Sequence, residues 1–220
     1  MPHARPEGLV ITVDGPAASG KGTIASRLGA AYALPVLDTG LLYRAVGVRL
    51  MQKGGDLDDE AAAAAVAREL SAEDLDDPAF RTRTAGEAAS RVAVHPKVRA
   101  ALLELQQAFA RRPEGAVLDG RDMGTVIAPW APAKIYVTAA PEVRAERRRR
   151  QLEGQGEPAA FEDVLADIRR RDERDGAREA APMRPAEDAV LLDTSEMTID
   201  EAADAARRIV EAARVRLGTP

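Results

Sequence analysis

The sequence predicts an α/β fold: a five-stranded parallel sheet with helices on both faces, a helical excursion and a short helical lid. Three observations predict it. Five short apolar runs, at residues 9–14, 35–37, 116–119, 134–138 and 189–193, alternate with segments of helical periodicity. The runs are continuously apolar, as strands buried on both faces are, and such strands join through right-handed helical crossovers. The turn after the first run, Gly15-Pro16-Ala17-Ala18-Ser19-Gly20-Lys21-Gly22-Thr23, leads from a strand directly into a helix, where peptide N–H groups and a helix N-terminus can grip an anion.

The elements follow in order. The first helix occupies residues 24–32, and after the second strand a helix at 41–50 starts where Thr39 or Asp38 can cap it. Gly54-Gly55-Asp56 ends that helix. Residues 59–70 are alanine-rich and helical, 71–83 are polar and irregular, and helices at 85–94 and 97–109 meet at His95-Pro96. Residues 50–95 hold no run of the buried parallel type, so this stretch reads as a helical excursion from the sheet. The sheet resumes at 116–119. Helices at 141–152 and 161–174 flank the break Gly154-Gln155-Gly156-Glu157-Pro158, and Thr198-Ile199-Asp200-Glu201 opens the last helix with a capping-box pattern. One domain is expected, divided into core 8–50, insert 51–98, core 99–150, lid 151–160 and core 161–220.

Bulk composition narrows the function. The 220 residues are 45% apolar and only 3% aromatic, so the core is built from Ala, Leu, Val and Ile. A formal charge of −5 argues against a chain that wraps nucleic acid, which calls for a broad positive surface. The absence of cysteine excludes disulfides and thiolate metal sites and suits a reducing compartment. His3 and His95 have no partner at metal-site spacing, and His95 before Pro96 reads as structural. No apolar run is long enough to span a membrane, and the six residues before Glu7 are too short for a signal peptide, so the expected location is the cytoplasm.

Gly15, Gly20 and Lys21 have the P-loop spacing, in which glycines turn N–H groups inward around a triphosphate and the lysine supplies a mobile cation. Gly22 stands where a Ser or Thr is usual, and Thr23 comes one residue later. Asp119 and Asp14 both end apolar strands, and either could organise a magnesium ion (Mg2+) through water. Arg171, Arg174 and Arg178 share a helix face if the helix persists that far. Arg144, Arg147 or Arg148, and Gln151 form a similar stripe, and the Gly/Pro break between the two helices makes a hinged flap over phosphates plausible. Fixed guanidinium groups of this kind offset charge on a transferring phosphoryl group. There is no Asn-Lys-x-Asp segment for guanine selection. Arg44, Arg99, Arg121 and Arg178 come from four separated segments and suggest a second anion pocket, hence a small-molecule kinase with an anionic acceptor.

The motifs Ile11-Thr12-Val13-Asp14-Gly15-Pro16, Ser19-Gly20-Lys21-Gly22-Thr23, Asp38-Thr39-Gly40, Tyr43-Arg44, Ala89-Ser90, Gly120-Arg121-Asp122-Met123-Gly124-Thr125, Arg171-Asp172-Glu173-Arg174-Asp175 and Ala189-Val190-Leu191-Leu192-Asp193-Thr194 together resemble bacterial cytidylate kinase, of the nucleoside monophosphate kinases. The resemblance implies transfer of the γ-phosphate of ATP to CMP or dCMP with Mg2+. It implies that the loop from Gly15, Pro16, Ala17, Ala18, Ser19 and Gly20 to Lys21, Gly22 and Thr23 holds ATP under Arg148, with Arg144 or Arg149 as companions. Thr39, Arg44, Arg121 and Arg178 are implied for the acceptor phosphate, Arg171 and Asp175 for the pentose, and Ser90, Arg99 and Asp122 for the cytosine edge. Lys21, Arg121, Arg148, Arg171 and Arg178 are the expected catalytic cations. Two departures stand out: Thr39 occupies the place of a frequent serine, and residues 68–86 are too short and polar for the small antiparallel sheet usual in the insert. The other readings are a P-loop kinase for UMP, AMP or a phosphorylated metabolite, and an ATP-dependent, nucleic-acid-associated regulator using Arg147 to Arg150. A monomer is expected, without nucleic-acid or membrane partners.

Overall fold

Five strands, β1 (Val10–Asp14), β2 (Val36–Asp38), β3 (Ala116–Gly120), β4 (Ala133–Thr138) and β5 (Val190–Asp193), form one parallel sheet in the order β2-β3-β1-β4-β5. The computed structural model describes residues 8–71, 75–179 and 181–217. Every residue of β1 and β3 is buried, which explains their unbroken apolar runs, whereas the edge strands β2 and β5 are short and partly exposed. From β1 the chain crosses to β2 and β3 on one side and later to β4 and β5 on the other. The carboxyl end of β1 is therefore the switch point, where open parallel sheets bind ligands.

Helices α1 (Lys21–Tyr32) and α8 (Ile199–Leu217) cover one face, where Ile11, Val13, Leu28 and Ile135 meet the alanine stripe Ala202, Ala206 and Ala213. On the other face Val10, Leu118, Met123 and Ile127 pack against Ala110 at the end of α5 (Pro96–Ala110). The expected capping box of α8 is formed: Thr198 N donates to Glu201 Oε2 at 2.8 Å and Glu201 N to Thr198 Oγ1 at 3.3 Å. Among the described residues no helix is long and apolar enough to cross a membrane.

The excursion is helical, with no strand among its described residues. Helices α2 (Thr39–Gln52), α3 (Glu60–Arg68) and α4 (Arg83–Val92) enclose a separate core with α5, built around Leu42, Val46, Phe80, Val92 and Leu102. Two expectations need correction. The polar stretch 71–83 contains a 3-10 turn, Pro78–Arg81, because Asp77 caps it and Phe80 plugs the insert core with 1% exposure. At the start of α2 neither candidate side chain caps: Asp38 makes no capping bond, and the Thr39 hydroxyl instead donates to the Asp119 carbonyl at 2.8 Å. His95 is structural, its Nε2 lying 2.8 Å from the Leu57 carbonyl. Two further helices, α6 (Pro141–Gly154) and α7 (Phe161–Gly176), form an antiparallel pair with their own small core of Ala145, Leu152, Val164 and Ile168. This pair touches the insert through ion pairs of Arg83 with Asp167 and of Arg174 with Glu87.

Candidate active site

The loop between β1 and α1 has the backbone its glycines allow. Gly15 (φ 147°) passes so close to β4 that a Cβ there would sit 2.0 Å from the Val137 carbonyl, and Gly20 (φ 90°) ends the turn. Ala18 adopts the left-handed region at φ 59°, a conformation that costs a non-glycine residue about 1 kcal/mol or more. The loop's outer carbonyls are taken: Arg144 donates to the Ala17 carbonyl at 3.3 Å and Thr194 Oγ1 to the Ser19 carbonyl at 3.0 Å. Carbonyls turned outward leave the following amides facing the cleft, as an anion nest requires. Ala18, Ser19, Gly20, Lys21, Gly22 and Thr23 line a cavity of about 650 Å³. Gly15, Pro16 and Ala17 do not line it; they are buried behind the loop and shape it.

Lys21 Nζ lies 3.7 Å from Asp119 Oδ1. Burial pulls the Lys21 ammonium down and the Arg121 charge adds to it, while burial pushes the Asp119 carboxyl up. The glycine at position 22 has a spatial reason: a Cβ there would lie 3.1 Å from Asp119 Oδ2. Asp119 Oδ1 and the Ser19 hydroxyl are both buried without a hydrogen-bond partner. An orphaned carboxylate oxygen beside a phosphate loop fits Mg2+, which keeps its waters and takes one or two carboxylates plus phosphate oxygens; no cluster of three or more metal-ligating side chains occurs among the described residues.

Asp14 is differently employed. Its two oxygens accept hydrogen bonds from Met123 N and Gly124 N, each at 2.8 Å, and so hold a π-helical turn, Met123–Ile127, that no sequence pattern signalled. That turn follows Arg121 and Asp122 directly, so Asp14 fixes where they point. Burial pushes its carboxyl up to about 7, against the pull of the two amides. In the fold the group keeps a proton that the unfolded chain has released. Its contribution to stability is therefore present below the unfolded value near 3.8 and is lost as pH rises through about 7. Urea denaturation across that window should show the wild type losing stability relative to Asp14→Asn; a constant difference would contradict the assignment.

Across the cavity, Thr39, Arg44, Ser90, Arg99, Arg121, Asp122, Arg171, Asp175 and Arg178 all line the wall. The structure thus gathers every acceptor-side residue expected from the sequence. Arg44 is braced by the Phe80 carbonyl at 3.1 Å, which gives the 3-10 turn a role at the site. Arg121 Nε reaches Asp175 Oδ2 at 3.1 Å, Arg178 pairs with the same carboxylate, and Arg99 pairs with Asp122 while lying 5.8 Å from the Tyr43 ring centre. Helix α7 ends at Gly176, so Arg178 does not share its face; the Asp175 ion pair holds it instead. Arg171 is pulled down to about 10 by burial, with the Arg121 charge adding to the effect. Its Nε, the Nε of Arg178 and the Ser90 hydroxyl are buried without partners. Crowded cations with spare donors mark a place where an anion relieves both costs.

On α6 the arginines part company. Arg148 lines the cavity with Gln151, to which it donates at 2.8 Å. Arg144 and Arg149 are not its companions: Arg144 is buried against α7, and Arg149 pairs with Glu146 at 2.8 Å on the outer side. Arg150 also pairs with Glu146 and Arg147 turns to Thr194, so the run is not one basic face for nucleic acid. Arg147, expected on the phosphate-side stripe, does line the cavity, but sequence reasoning missed the wall it forms with Thr194, Met197, Ile199 and Ala202. Its signal was available, because the loop after β5 also leaves a strand's carboxyl end.

Fold and site together define a P-loop phosphotransferase whose acceptor is itself an anion. The family model described as cytidylate kinase matches residues 11–212. A protein named cytidylate kinase from Caulobacter vibrioides (strain NA1000 / CB15N) is 71% identical over 209 residues, covering 95% of this chain and 98% of its own length. Another from Xanthobacter autotrophicus is 63% identical over 206 residues, covering 94% and 99%. A solved structure of an uncharacterized protein from Eubacterium ventriosum shares the fold, with a TM-score of 0.54 at 12% identity over 94% of this chain and 99% of that one. The chain belongs to the cytidylate kinase family.

Proposed function

We infer that this protein transfers the γ-phosphate of ATP to CMP or dCMP, giving ADP and CDP or dCDP. The observation that carries the reading is one cavity with the Lys21 loop at one end and, at the other, the Nε donors of Arg171 and Arg178 and the Ser90 hydroxyl, each buried without a hydrogen-bond partner. Lys21 and the loop amides hold the donor phosphates, Arg148 covers them, and the donor base lies against Arg147, Met197, Ile199 and Ala202. Thr39, Arg44, Arg121 and Arg178 hold the acceptor phosphate, and Arg171 with Asp175 faces the pentose. Asp119 would hold Mg2+ through water, and the ion would supply charge neutralisation on the donor phosphates. The acceptor phosphate is a competent nucleophile at neutral pH, so the residues align it and offset charge and no strong base is required. Both anion sites lie within one chain, so no second copy is needed to complete the site, which supports a monomer; the expected location remains the cytoplasm.

Selectivity rests on Asp122, Arg99 and Ser90. Cytosine offers a donor at its amino group and acceptors at N3 and O2; uracil reverses the first two of these. In a coupled ADP-release assay CMP and dCMP should outrun UMP and AMP, and equal use of all four would remove the cytosine assignment. Asp122→Asn should narrow the CMP-over-UMP ratio of kcat/KM by about one to two decades, the cost of a mispaired buried polar group. An unchanged ratio would place the base elsewhere.

A further inference from the structure

Arg144 points away from the cavity, yet it joins the two halves of the site. Its side chain is 4% exposed, and four hydrogen bonds hold it. Nε donates to the Ala139 carbonyl at 2.9 Å, at the end of β4. Nη1 donates to the Ala17 carbonyl of the phosphate loop at 3.3 Å and to Asp172 Oδ1 at 3.1 Å, and Nη2 donates to Asp172 Oδ2 at 2.6 Å. One planar group therefore touches the sheet, the donor loop and α7 at once. Asp172 directly follows Arg171 and lies one turn before Asp175, two cavity residues on the acceptor side.

We propose that Arg144 is a positioning residue that sets the register between the donor phosphate loop and the acceptor residues carried by α7. The proposal rests on the function read above. The physical case has two parts. Ala17 precedes Ala18, whose left-handed backbone is unfavourable for alanine, and the bond to the Ala17 carbonyl helps hold that conformation. The two-pronged bond to Asp172 then ties the same guanidinium to α7, so the loop cannot shift against Arg171 without breaking either the bond to the Ala17 carbonyl or a part-buried charge pair. In-line transfer depends on the relative placement of the two phosphates, whereas each nucleotide alone needs only its own end of the cavity. A lysine could keep the charge at position 144 but not the three-way geometry, because its ammonium lacks the rigid fork.

Asp172→Asn and Arg144→Lys, each made in the full chain, test this. Both should lower kcat about tenfold to a hundredfold, the scale of effect that a displacement near 1 Å produces in an aligned transfer. Binary dissociation constants for CMP alone and for ATP alone, measured by calorimetry, should stay within about threefold of wild type, since neither binary complex requires the register. Asp172 is partly exposed on α7, so its isosteric change keeps the test valid if Arg144→Lys fails to fold. A kcat within about twofold of wild type in Asp172→Asn, or a kcat loss matched by an equal loss of binary CMP affinity, would overturn the proposal. Failure of the functional reading is seen separately, as an unmodified chain that does not phosphorylate CMP; the register is then measured with whichever monophosphate it does use.

Discussion

Lys21→Met is expected to reduce phosphoryl transfer by about 10³-fold, the scale seen when a group aimed at developing phosphoryl charge is removed, while the fold survives. The two halves have one physical origin. Lys21 lies in the cavity 3.7 Å from Asp119, and burial together with the Arg121 charge makes its protonated form unfavourable in the empty site. A lysine whose folded value is lowered opposes folding wherever it is kept charged, because the unfolded chain holds that proton more readily. Removing the cation removes that opposition. Asp119 loses a partner but is already pushed toward its neutral form by burial. The melting temperature should therefore change little, because relief of the buried ammonium is set against the loss of Asp119's ion-pair partner. Thermal melts beside the coupled assay measure both halves. A variant keeping a tenth of wild-type turnover, or one that has lost its structure, would show that Lys21 serves packing rather than transfer.

Arg121→Met is expected to have the next largest effect, a fall of about 10³-fold in kcat/KM for CMP with the affinity for ATP alone little changed. Arg121 follows Gly120, where a Cβ would lie 2.7 Å from the Thr39 hydroxyl and 2.6 Å from Met123 Cε, so the strand end is drawn tight behind it. Its guanidinium holds Asp175 at 3.1 Å and the Gly120 carbonyl at 3.2 Å, and its charge helps to depress both the loop lysine and Arg171. Loss of the group leaves Asp175 with Arg178 as partner, so no buried carboxylate is abandoned. Arg121→Lys should recover little, because a point charge cannot hold Asp175 and an acceptor phosphate together. Equal losses in ATP and CMP affinity, or recovery with lysine, would assign Arg121 a general electrostatic role instead.

The strands and the loop were legible because their signals are local. Residues 9–14 and 116–119 are apolar throughout because β1 and β3 are covered on both faces, and the Gly15, Gly20 and Lys21 spacing encodes a turn whose geometry depends on its own residues. A second set of cations was legible from arginines on separated segments, but the role of each acceptor-side residue was legible only through motif resemblance. Thr39, Ser90, Arg121 and Arg178 come from four distant segments, and nothing in their spacing places them on one wall. Phe80 was hidden because a single aromatic residue in a polar stretch has no periodicity.

By itself the sequence determined the parallel sheet, the phosphate loop and the presence of a second set of cations, since hydrophobic runs, glycine spacing and residue type act over a few neighbouring residues. Only the tertiary structure decided the direction each charge takes. Arg144 and Arg148 sit four residues apart on one helix, yet one is locked against Asp172 and the Ala17 carbonyl while the other faces the cavity. Asp14 and Asp119 end adjacent strands, yet one is spent on the amides of Met123 and Gly124 while the other keeps an oxygen free beside Lys21. A side chain's chemistry is written in its name; its partner is chosen by what packs against it, and that is set by segments far away in the chain.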